Sequence, residues 1–223
     1  MLDRRFFTRD GLTVARELLG KVLVHETPIG TIRGIITEVE SYMGVNDKGS
    51  HTYGGRRTER TEPMFREGGN SYVYFTYGMY YCMNITSGME GDPQAVLIRS
   101  VEPADDISRE RMIQLRLAVA KMREEKRANA VRKQVQPPVT PEEAEKKLYK
   151  LRKNIEKHLA DGPGKMCIAM GISKKDNALD MVGNTYFHVE EGINVEPDRI
   201  KTGKRIGIDY AEEAADYLWR FYL

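Results

Sequence analysis

An aromatic segment divided by a glycine sets the strongest limit on how this chain folds. Residues 71–85 are rich in tyrosine and apolar side chains, and Gly78 interrupts them directly after Tyr77. Aromatic and β-branched residues favour strands, whereas glycine is typical of tight turns. The segment therefore predicts two antiparallel strands joined by a turn at Tyr77 and Gly78. Its rings could stack on nucleic-acid bases, although a run of this kind more often packs an aromatic face into a core.

A long strand is predicted over residues 31–42, after a shorter one over residues 21–25. Successive side chains of a strand point to opposite faces, so Glu38, Glu40 and Tyr42 share one face. A partly buried carboxylate at Glu40 can act as a general base toward water. The residues alone leave open that Glu38 or Glu40 is an exposed edge-strand charge or an ion-pair partner.

The polar, glycine-rich residues 46–70 predict an ordered functional loop. Four arginines lie in this stretch, near glycines that leave backbone amides open to a ligand: Arg56, Arg57, Arg60 and Arg66. Such a loop can hold phosphate groups through guanidinium groups and amides. Three glutamates are interleaved with the arginines, so a solvated charged loop is the alternative.

Helices and strands alternate in the rest of the chain. Apolar spacing predicts a helix over residues 12–19 and buried or partly buried strands over residues 95–101 and 185–189. The pattern turns helical from Ser108, and residues 121–133 form a basic surface segment. A chain of 223 residues suits one domain with a substantial core and is too short for two full catalytic domains.

A further helix start is indicated at Thr140, which combines an N-cap with Pro141 in the first turn and Glu143 in a capping box. The Pro137-Pro138 pair predicts a break before this helix. The apolar stripe of the helix would be Leu148, Leu151, Ile155 and Leu159. Residues 161–164 then predict a turn before a short helix over residues 165–170.

Composition and spacing argue against several functional classes. The charged N-terminal ten residues lack a signal core and no stretch reaches the roughly 18 apolar residues of a membrane span, so we expect a cytosolic protein with no membrane partner. Cys82 and Cys167 are expected to be reduced, buried thiols. No metal-ligand spacing and no glycine-rich nucleotide motif is present, so neither a metal nor a cofactor is predicted. A net charge of +2 does not by itself indicate nucleic-acid binding.

Ordered short motifs resemble one family of enzymes. They are TEVESY (residues 37–42), HTYGGRRT (51–58), MF (64–65), YVY (72–74), YGMY (77–80), CMN (82–84) and LIR (97–99). In this order and spacing they resemble the alkyladenine (3-methyladenine) DNA glycosylase family. The resemblance runs from about residue 6 to residue 103 and resumes from GPGK at residues 162–165 to RFY at residues 220–222.

The resemblance implies a monofunctional DNA glycosylase of base excision repair. Glu40 would be the general base that activates water, and Arg99 would help to hold that water and keep the carboxylate ionised. One carboxylate suits a single displacement at the sugar, which leaves an abasic site without a covalent intermediate. The implied substrates are alkylated or deaminated purines in duplex DNA: 3-methyladenine, 7-methylguanine, hypoxanthine and ethenoadenine.

The same resemblance implies a pocket and a DNA-binding surface. Rings of Tyr42, His51 and Tyr74 would sandwich a flipped purine, with Asn84 screening its exocyclic groups and Met64 supporting the pocket. A hairpin tip would enter the minor groove and fill the gap in the base stack, through Tyr77 flanked by Met79 and Tyr80. Contacts to the DNA backbone would come from Arg56, Thr58 and Arg60.

The fold implied by the resemblance is a single α+β domain over residues 1–223. It would have a curved, partly barrel-like antiparallel sheet, flanking helices and a protruding hairpin that inserts into DNA. Residues 121–158 would be a charged helical insertion, either an extra DNA-contacting arm or a solvated helical excursion. A monomer is expected. A noncatalytic nucleic-acid-binding module, which would not need Glu40 and Arg99 together, is one alternative. A tRNA-associated module, which would bind structured RNA and ignore lesions, is the other.

Overall fold

Eight antiparallel strands form one sheet in residues 1–131 and 140–223, the part of the chain that the computed structural model describes. The sheet curls into a half-barrel and helices flank it within a single domain. The predicted α+β architecture with a curved antiparallel sheet is therefore confirmed. The strands are β1 (Val22–Thr27), β2 (Gly30–Tyr42), β3 (Ser71–Thr76), β4 (Tyr80–Ser87), β5 (Gln94–Pro103), β6 (Phe187–Glu190), β7 (Lys201–Gly203) and β8 (Arg220–Tyr222).

The order of strands brings distant parts of the chain together. Across the sheet the order is β3-β4-β5-β2-β1-β6, and the C-terminal strand β8 pairs with both β2 and β7. The β3–β4 hairpin lies at one end of the sheet, as its aromatic pattern predicts. Because β2 pairs with β1, β5 and β8, it is an internal strand.

Five helices surround the sheet in the described residues: α1 (Arg4–Phe7), α2 (Gly11–Leu18), α3 (Asp106–Val131), α4 (Pro141–Lys157) and α5 (Pro163–Met170). The capping box at Thr140 and Glu143 is present as predicted. The predicted break at Pro137-Pro138 lies outside the described residues. None of the helices described is both long and apolar enough to cross a lipid bilayer.

The predicted apolar stripe of α4 is only partly correct. Ile155 is buried, but Leu148 is 40% exposed and Leu159, although buried, lies beyond the end of the helix. The reason is that α4 packs along α3 and reaches the core only at its C-terminal end. Ion pairs connect the two helices, between Arg152 and Glu110 and between Lys147 and Glu124.

Irregular pairing in the middle of β2 directs its polar side chains away from the core. Ile32 and Ile36 pack into the main hydrophobic core, and the next β2 residue that does so is Val39. This change of parity coincides with an irregular register between β2 and β5 on both sides of Glu38. Bulges of this kind re-aim side chains near functional sites. Beyond this point Glu38, Glu40 and Tyr42 share the opposite face, as the sequence predicts.

Candidate active site

A cavity of about 260 Å³ opens on the face of the sheet that β2, β3, β4 and β5 turn away from the core. A water molecule takes up about 30 Å³ in the liquid, so the space is sufficient for a small planar ligand. Six aromatic side chains line its wall: Tyr42, His51, Tyr72, Tyr74, Tyr77 and Tyr210. The structure brings together all of the predicted pocket residues, because Met64 and Asn84 line the same cavity. Arg60 and Arg99 line it too.

Glu40 lies directly behind this wall and is completely buried. Its Oε1 accepts a hydrogen bond of 2.8 Å from the Ile206 amide and lies 3.2 Å from Nη1 of Arg99. Its Oε2 accepts a hydrogen bond of 3.0 Å from the Tyr42 hydroxyl. An exposed edge-strand charge at Glu40 is therefore excluded, while the ion pair that the sequence left open is present.

Burial and hydrogen bonding act on the pKa of Glu40 in opposite directions. Burial raises this pKa above its ordinary value of 4.5, and the Arg99 guanidinium, the Ile206 amide and the Tyr42 hydroxyl only partly offset the rise. A carboxylate with a raised pKa is a stronger proton acceptor than one with an ordinary pKa. Glu40 therefore has the properties of a general base.

Arg99 is shared between two carboxylates. It is 8% exposed, and its Nε donates a hydrogen bond of 3.0 Å to Glu38 while Nη1 faces Glu40. Glu38 also accepts a hydrogen bond of 2.9 Å from Nη1 of Arg220 in β8. The sequence left open that Glu38 is an ion-pair partner, and the structure shows that it holds Arg99.

Tyr42 is held on its far side by a buried arginine. The guanidinium carbon of Arg205 lies 4.8 Å from the centre of the Tyr42 ring and 4.9 Å from that of Trp219. Stacked guanidinium groups of this kind attract the ring quadrupole. Burial and the Glu40 carboxylate raise the pKa of Tyr42 well above its ordinary value, so its hydroxyl stays protonated and donates.

Arg205 also forms a fully buried, bidentate ion pair with Asp47. Its two terminal nitrogens lie 2.5 and 2.8 Å from the Asp47 carboxylate oxygens, and both side chains have no exposed surface. The same nitrogens donate to the carbonyl groups of Ser41 and Ala214. The pair therefore ties the loop after β2 to the C-terminal segment that carries Ile206.

His51 is a neutral wall of the cavity at physiological pH. Burial, with added repulsion from Arg60 and Arg56, lowers its pKa to about 4. Its Nδ1 lies 2.8 Å from the hydroxyl oxygen of Tyr72, and its ring meets that of Tyr74 edge-on at 4.7 Å. These contacts fix the orientation of the imidazole.

Met64 and Asn84 lie in the inner part of the cavity wall. Met64 is 2% exposed and packs with Tyr72 and Ala95. Asn84 is 4% exposed and its side-chain amide donates a hydrogen bond of 3.1 Å to the Tyr72 carbonyl. Its amide is thereby held in one orientation at the cavity wall.

Tyr77 projects from the tip of the β3–β4 hairpin with 82% of its surface exposed. Its backbone φ is +50° and that of Gly78 is +65°, which is the pattern of a type I′ turn. Positive φ is uncommon for a bulky residue and marks local strain. The turn closes through a hydrogen bond from the Met79 amide to the Thr76 carbonyl. A strained, exposed ring at this position suggests a contact with another molecule.

The two residues predicted to flank Tyr77 differ in their environment. Met79 is 53% exposed, whereas the Tyr80 ring is half-buried between the guanidinium of Arg123 and the backbone of Gly164. A Cβ atom on Gly164 would lie 2.7 Å from the Tyr80 ring, so only glycine fits there. Tyr80 anchors the base of the hairpin.

The predicted backbone-contact residues Arg56, Thr58 and Arg60 are exposed on the loop at one edge of the cavity. Arg60 places its guanidinium carbon 4.9 Å from the centre of the Tyr74 ring. The buried Thr61 hydroxyl donates to the Arg56 carbonyl and closes the loop. The loop is therefore ordered by its own hydrogen bonds, as predicted, with Arg56 exposed and Arg60 turned toward the cavity wall.

Several residues of the site have no predictable signal in the sequence. Asp47, Arg205, the Ile206 amide and Arg220 act through tertiary contacts between segments far apart in the chain. Among the residues that the structure describes, His, Cys, Asp and Glu side chains form no cluster of three or more that could hold a metal ion. Both cysteines are free and buried, as predicted.

Comparison with known proteins places these features in one family. The family model described as Methylpurine-DNA glycosylase (MPG) matches residues 5–223. A Clostridium acetobutylicum protein is 46% identical over 223 residues, which cover 100% of this chain and 93% of that protein. Proteins from Clostridium novyi and Desulfitobacterium hafniense are each 44% identical and are covered to 94%, with 100% of this chain aligned. All three carry the provisional name 3-methyladenine DNA glycosylase.

The buried pair of Asp47 and Arg205 yields a stability prediction. Replacing Arg205 with methionine leaves the Asp47 carboxylate buried with two backbone hydrogen bonds but no opposite charge, so we expect the free energy of unfolding to fall by about 3–5 kcal/mol. Urea denaturation measures this change. Lys204→Met is the matched control, because Lys204 pairs with Asp216 on the surface and should contribute under about 1 kcal/mol. Equal losses in the two variants would contradict the role given to Arg205.

Proposed function

Because this chain belongs to the methylpurine-DNA glycosylase family and is a DNA N-glycosylase, a hydrolase of base excision repair, we propose that it flips a damaged purine from duplex DNA into the aromatic cavity and releases it with water. The noncatalytic modules considered from sequence are set aside by the family match. The observation that carries the proposal is the buried Glu40 carboxylate, which is held behind a cavity wall of aromatic rings.

The reaction needs one proton acceptor and one leaving base. As the bond between the sugar C1′ and the purine nitrogen breaks, its electron pair leaves with the base and the sugar develops oxocarbenium character. Water attacks C1′ and transfers a proton to Glu40. The products are the free base and an abasic site. No covalent bond to the protein forms, so no lysine or other nucleophile is required.

Water must pass the cavity wall before it can reach the buried Glu40 carboxylate. The carboxylate itself does not line the cavity, but its partners Tyr42, Arg99 and Ile206 do. Oε2 now accepts the Tyr42 hydroxyl, while Oε1 is occupied by the amide and by Arg99. Each carboxylate oxygen can accept two hydrogen bonds, so Oε2 can bind a water beside the Tyr42 hydroxyl once the cavity wall admits it.

The neutral His51 bears on which lesions are released fastest. With a pKa of about 4, its imidazole lacks at pH 7 the second, acidic proton that it would need to protonate a neutral leaving purine. Purines alkylated at N3 or N7 are already cationic and leave without such a donor. Aromatic ring faces also attract cations. We expect 3-methyladenine and 7-methylguanine to be excised faster than hypoxanthine and ethenoadenine.

The hairpin and the arginine loop supply the DNA-binding side of the proposal. Tyr77 would enter the minor groove and fill the space left by the flipped nucleotide, with Met79 against the neighbouring base pair and Tyr80 supporting the turn. The exposed Arg56, Thr58 and Arg60 would contact phosphates at the edge of the cavity. Within the pocket Asn84 would face the exocyclic groups of the base, and Met64 would support the stacked rings.

Substitution of Glu40 tests the chemical step. We expect Glu40→Gln to lower the single-turnover rate of hypoxanthine release from a duplex by at least 100-fold while DNA affinity is retained, because the amide does not accept the proton from water. Alkaline cleavage at abasic sites measures the rate, and fluorescence anisotropy measures binding. Glu38→Gln removes a charge from the same strand face and should lose much less. Wild-type rates in Glu40→Gln would refute the proposal.

The rate should also depend on pH through Glu40. Only the carboxylate accepts a proton, so the rate falls as pH drops through its pKa, and burial places this midpoint above 4.5. Arg99 lowers the pKa of Glu40, so Arg99→Gln should move the acid limb to higher pH. Arg99→Lys keeps the charge and should move it less. A single-turnover pH profile measures both, and identical limbs in all three proteins would contradict the assignment.

Tyr77 provides a test that separates base flipping from folding. Tyr77→Gly places at this position a residue that adopts a positive φ without strain, so the free energy of unfolding should stay nearly unchanged. Unstacking a base costs a few kcal/mol, so loss of the wedge should slow excision from duplex DNA at least tenfold. Stopped-flow fluorescence of ethenoadenine reports the flipping step. Phe75→Ala, which removes an exposed ring elsewhere on the hairpin, should have little effect. Equal effects of the two substitutions would count against a wedge at Tyr77.

A further inference from the structure

Helix α3 makes direct contact with the hairpin that carries Tyr77. Arg123 donates a hydrogen bond of 2.9 Å to the Met79 carbonyl, and its guanidinium carbon lies 4.7 Å from the centre of the Tyr80 ring. After Arg123 the side chains of α3 are exposed as far as residue 129. The last turns of α3 therefore continue past the hairpin, away from the core.

The charges on these turns are sorted by helix face. At about 100° per residue, Lys126 and Arg127 lie within about 60° of Arg123 around the helix axis. Glu124 is turned toward α4, where it pairs with Lys147, and Glu125 lies about 160° away from Arg123. The face that meets the hairpin is thus basic, and the acidic residues are on the other sides.

The outer residues of this face are not neutralised. Lys126 and Arg127 are exposed, and neither forms an ion pair with any carboxylate in the described part of the chain. The sequence from residue 126 to residue 139 contains no aspartate or glutamate. A merely solvated helix would be expected to mix its charges, as α4 does with its pairs of Glu142 with Lys146 and Arg152 with Glu156.

We propose that Arg123, Lys126 and Arg127 form a second DNA-binding surface, which contacts the sugar-phosphate backbone beside the nucleotide that the hairpin displaces. The inference rests on the proposed function, because it takes the hairpin as the element that enters DNA. Arg60 contacts the first strand of that hairpin at Tyr74, and Arg123 contacts the second at Tyr80. Insertion of the tip brings both basic elements toward phosphates, and clustered cations gain affinity there by counterion release.

The salt dependence of DNA binding tests this surface. In the full-length protein, Lys126→Ala/Arg127→Ala should reduce the slope of log Kd against log salt by about 1 to 2, since each phosphate contact contributes about 0.9. Undamaged duplex DNA is the probe, and anisotropy is the measurement. The single-turnover excision rate at saturating enzyme should stay within about twofold of wild type, because neither residue lies at the cavity.

The matched control removes the same charge from other faces. Lys121 lies about 160° around α3 from Arg123, and Lys150 is exposed on α4, so Lys121→Ala/Lys150→Ala should leave the slope unchanged. An unchanged slope in Lys126→Ala/Arg127→Ala, or an equal reduction in both double variants, would overturn the proposal. Failure of the wild-type protein to release any base would instead refute the proposed function, since the slope is measured without excision.

Discussion

The organisation of this site follows from the need to keep a buried carboxylate charged. Glu40 has no exposed surface, and a charged group in that position is costly unless hydrogen bonds and an opposite charge replace its water. Arg99 supplies the opposite charge, and Arg99 is itself held by Glu38. Arg220 of β8, which also pairs with Glu38, completes the series of alternating charges. The final residues of the chain are therefore as important to the carboxylate as the strand that carries it.

A second buried ion pair connects the aromatic wall of the cavity to the contacts that hold Glu40. Arg205 stacks on Tyr42 and pairs with Asp47, and the next residue along the chain donates its amide to Glu40. One short segment thus fixes both the Tyr42 ring and the Glu40 carboxylate. Side chains held by such contacts need little reorganisation when a ligand enters, which is the condition for electrostatic stabilisation of a developing charge.

Local sequence patterns predicted the elements of the site better than its supporting contacts. The glycine after Tyr77 and the alternation from Glu38 to Tyr42 depend on neighbouring residues, so the hairpin and the shared face could be derived from the chain itself. The roles of Glu40 and Arg99 came from a family resemblance, since spacing leaves an exposed charge equally open. The irregular pairing at Glu38 and the Asp47–Arg205 pair could not be predicted, because each depends on strands and loops that are distant in sequence. The predicted apolar stripe of α4 was too long, because most of this helix packs on α3 and only its C-terminal end reaches the core.

The distribution of charge around the cavity separates two tasks within the proposed function. In the inner part of the cavity, Arg99 and Arg205 are bound to carboxylates and His51 is neutral, so Arg60, which lines the outer part and lies over the Tyr74 ring, is the unpaired arginine of this wall within the described residues. At the rim, Arg56 and Arg60 form no ion pair within the described residues, and they are free for phosphate. Arginines moved inward from the rim would repel an alkylated base. Without the Glu38 carboxylate beside it, Arg99 would lower the pKa of Glu40 further and weaken it as a base. Under the proposed function, the ion-paired arginines inside the cavity leave room for a positively charged base, and the unpaired arginines at the rim attract the phosphates of DNA.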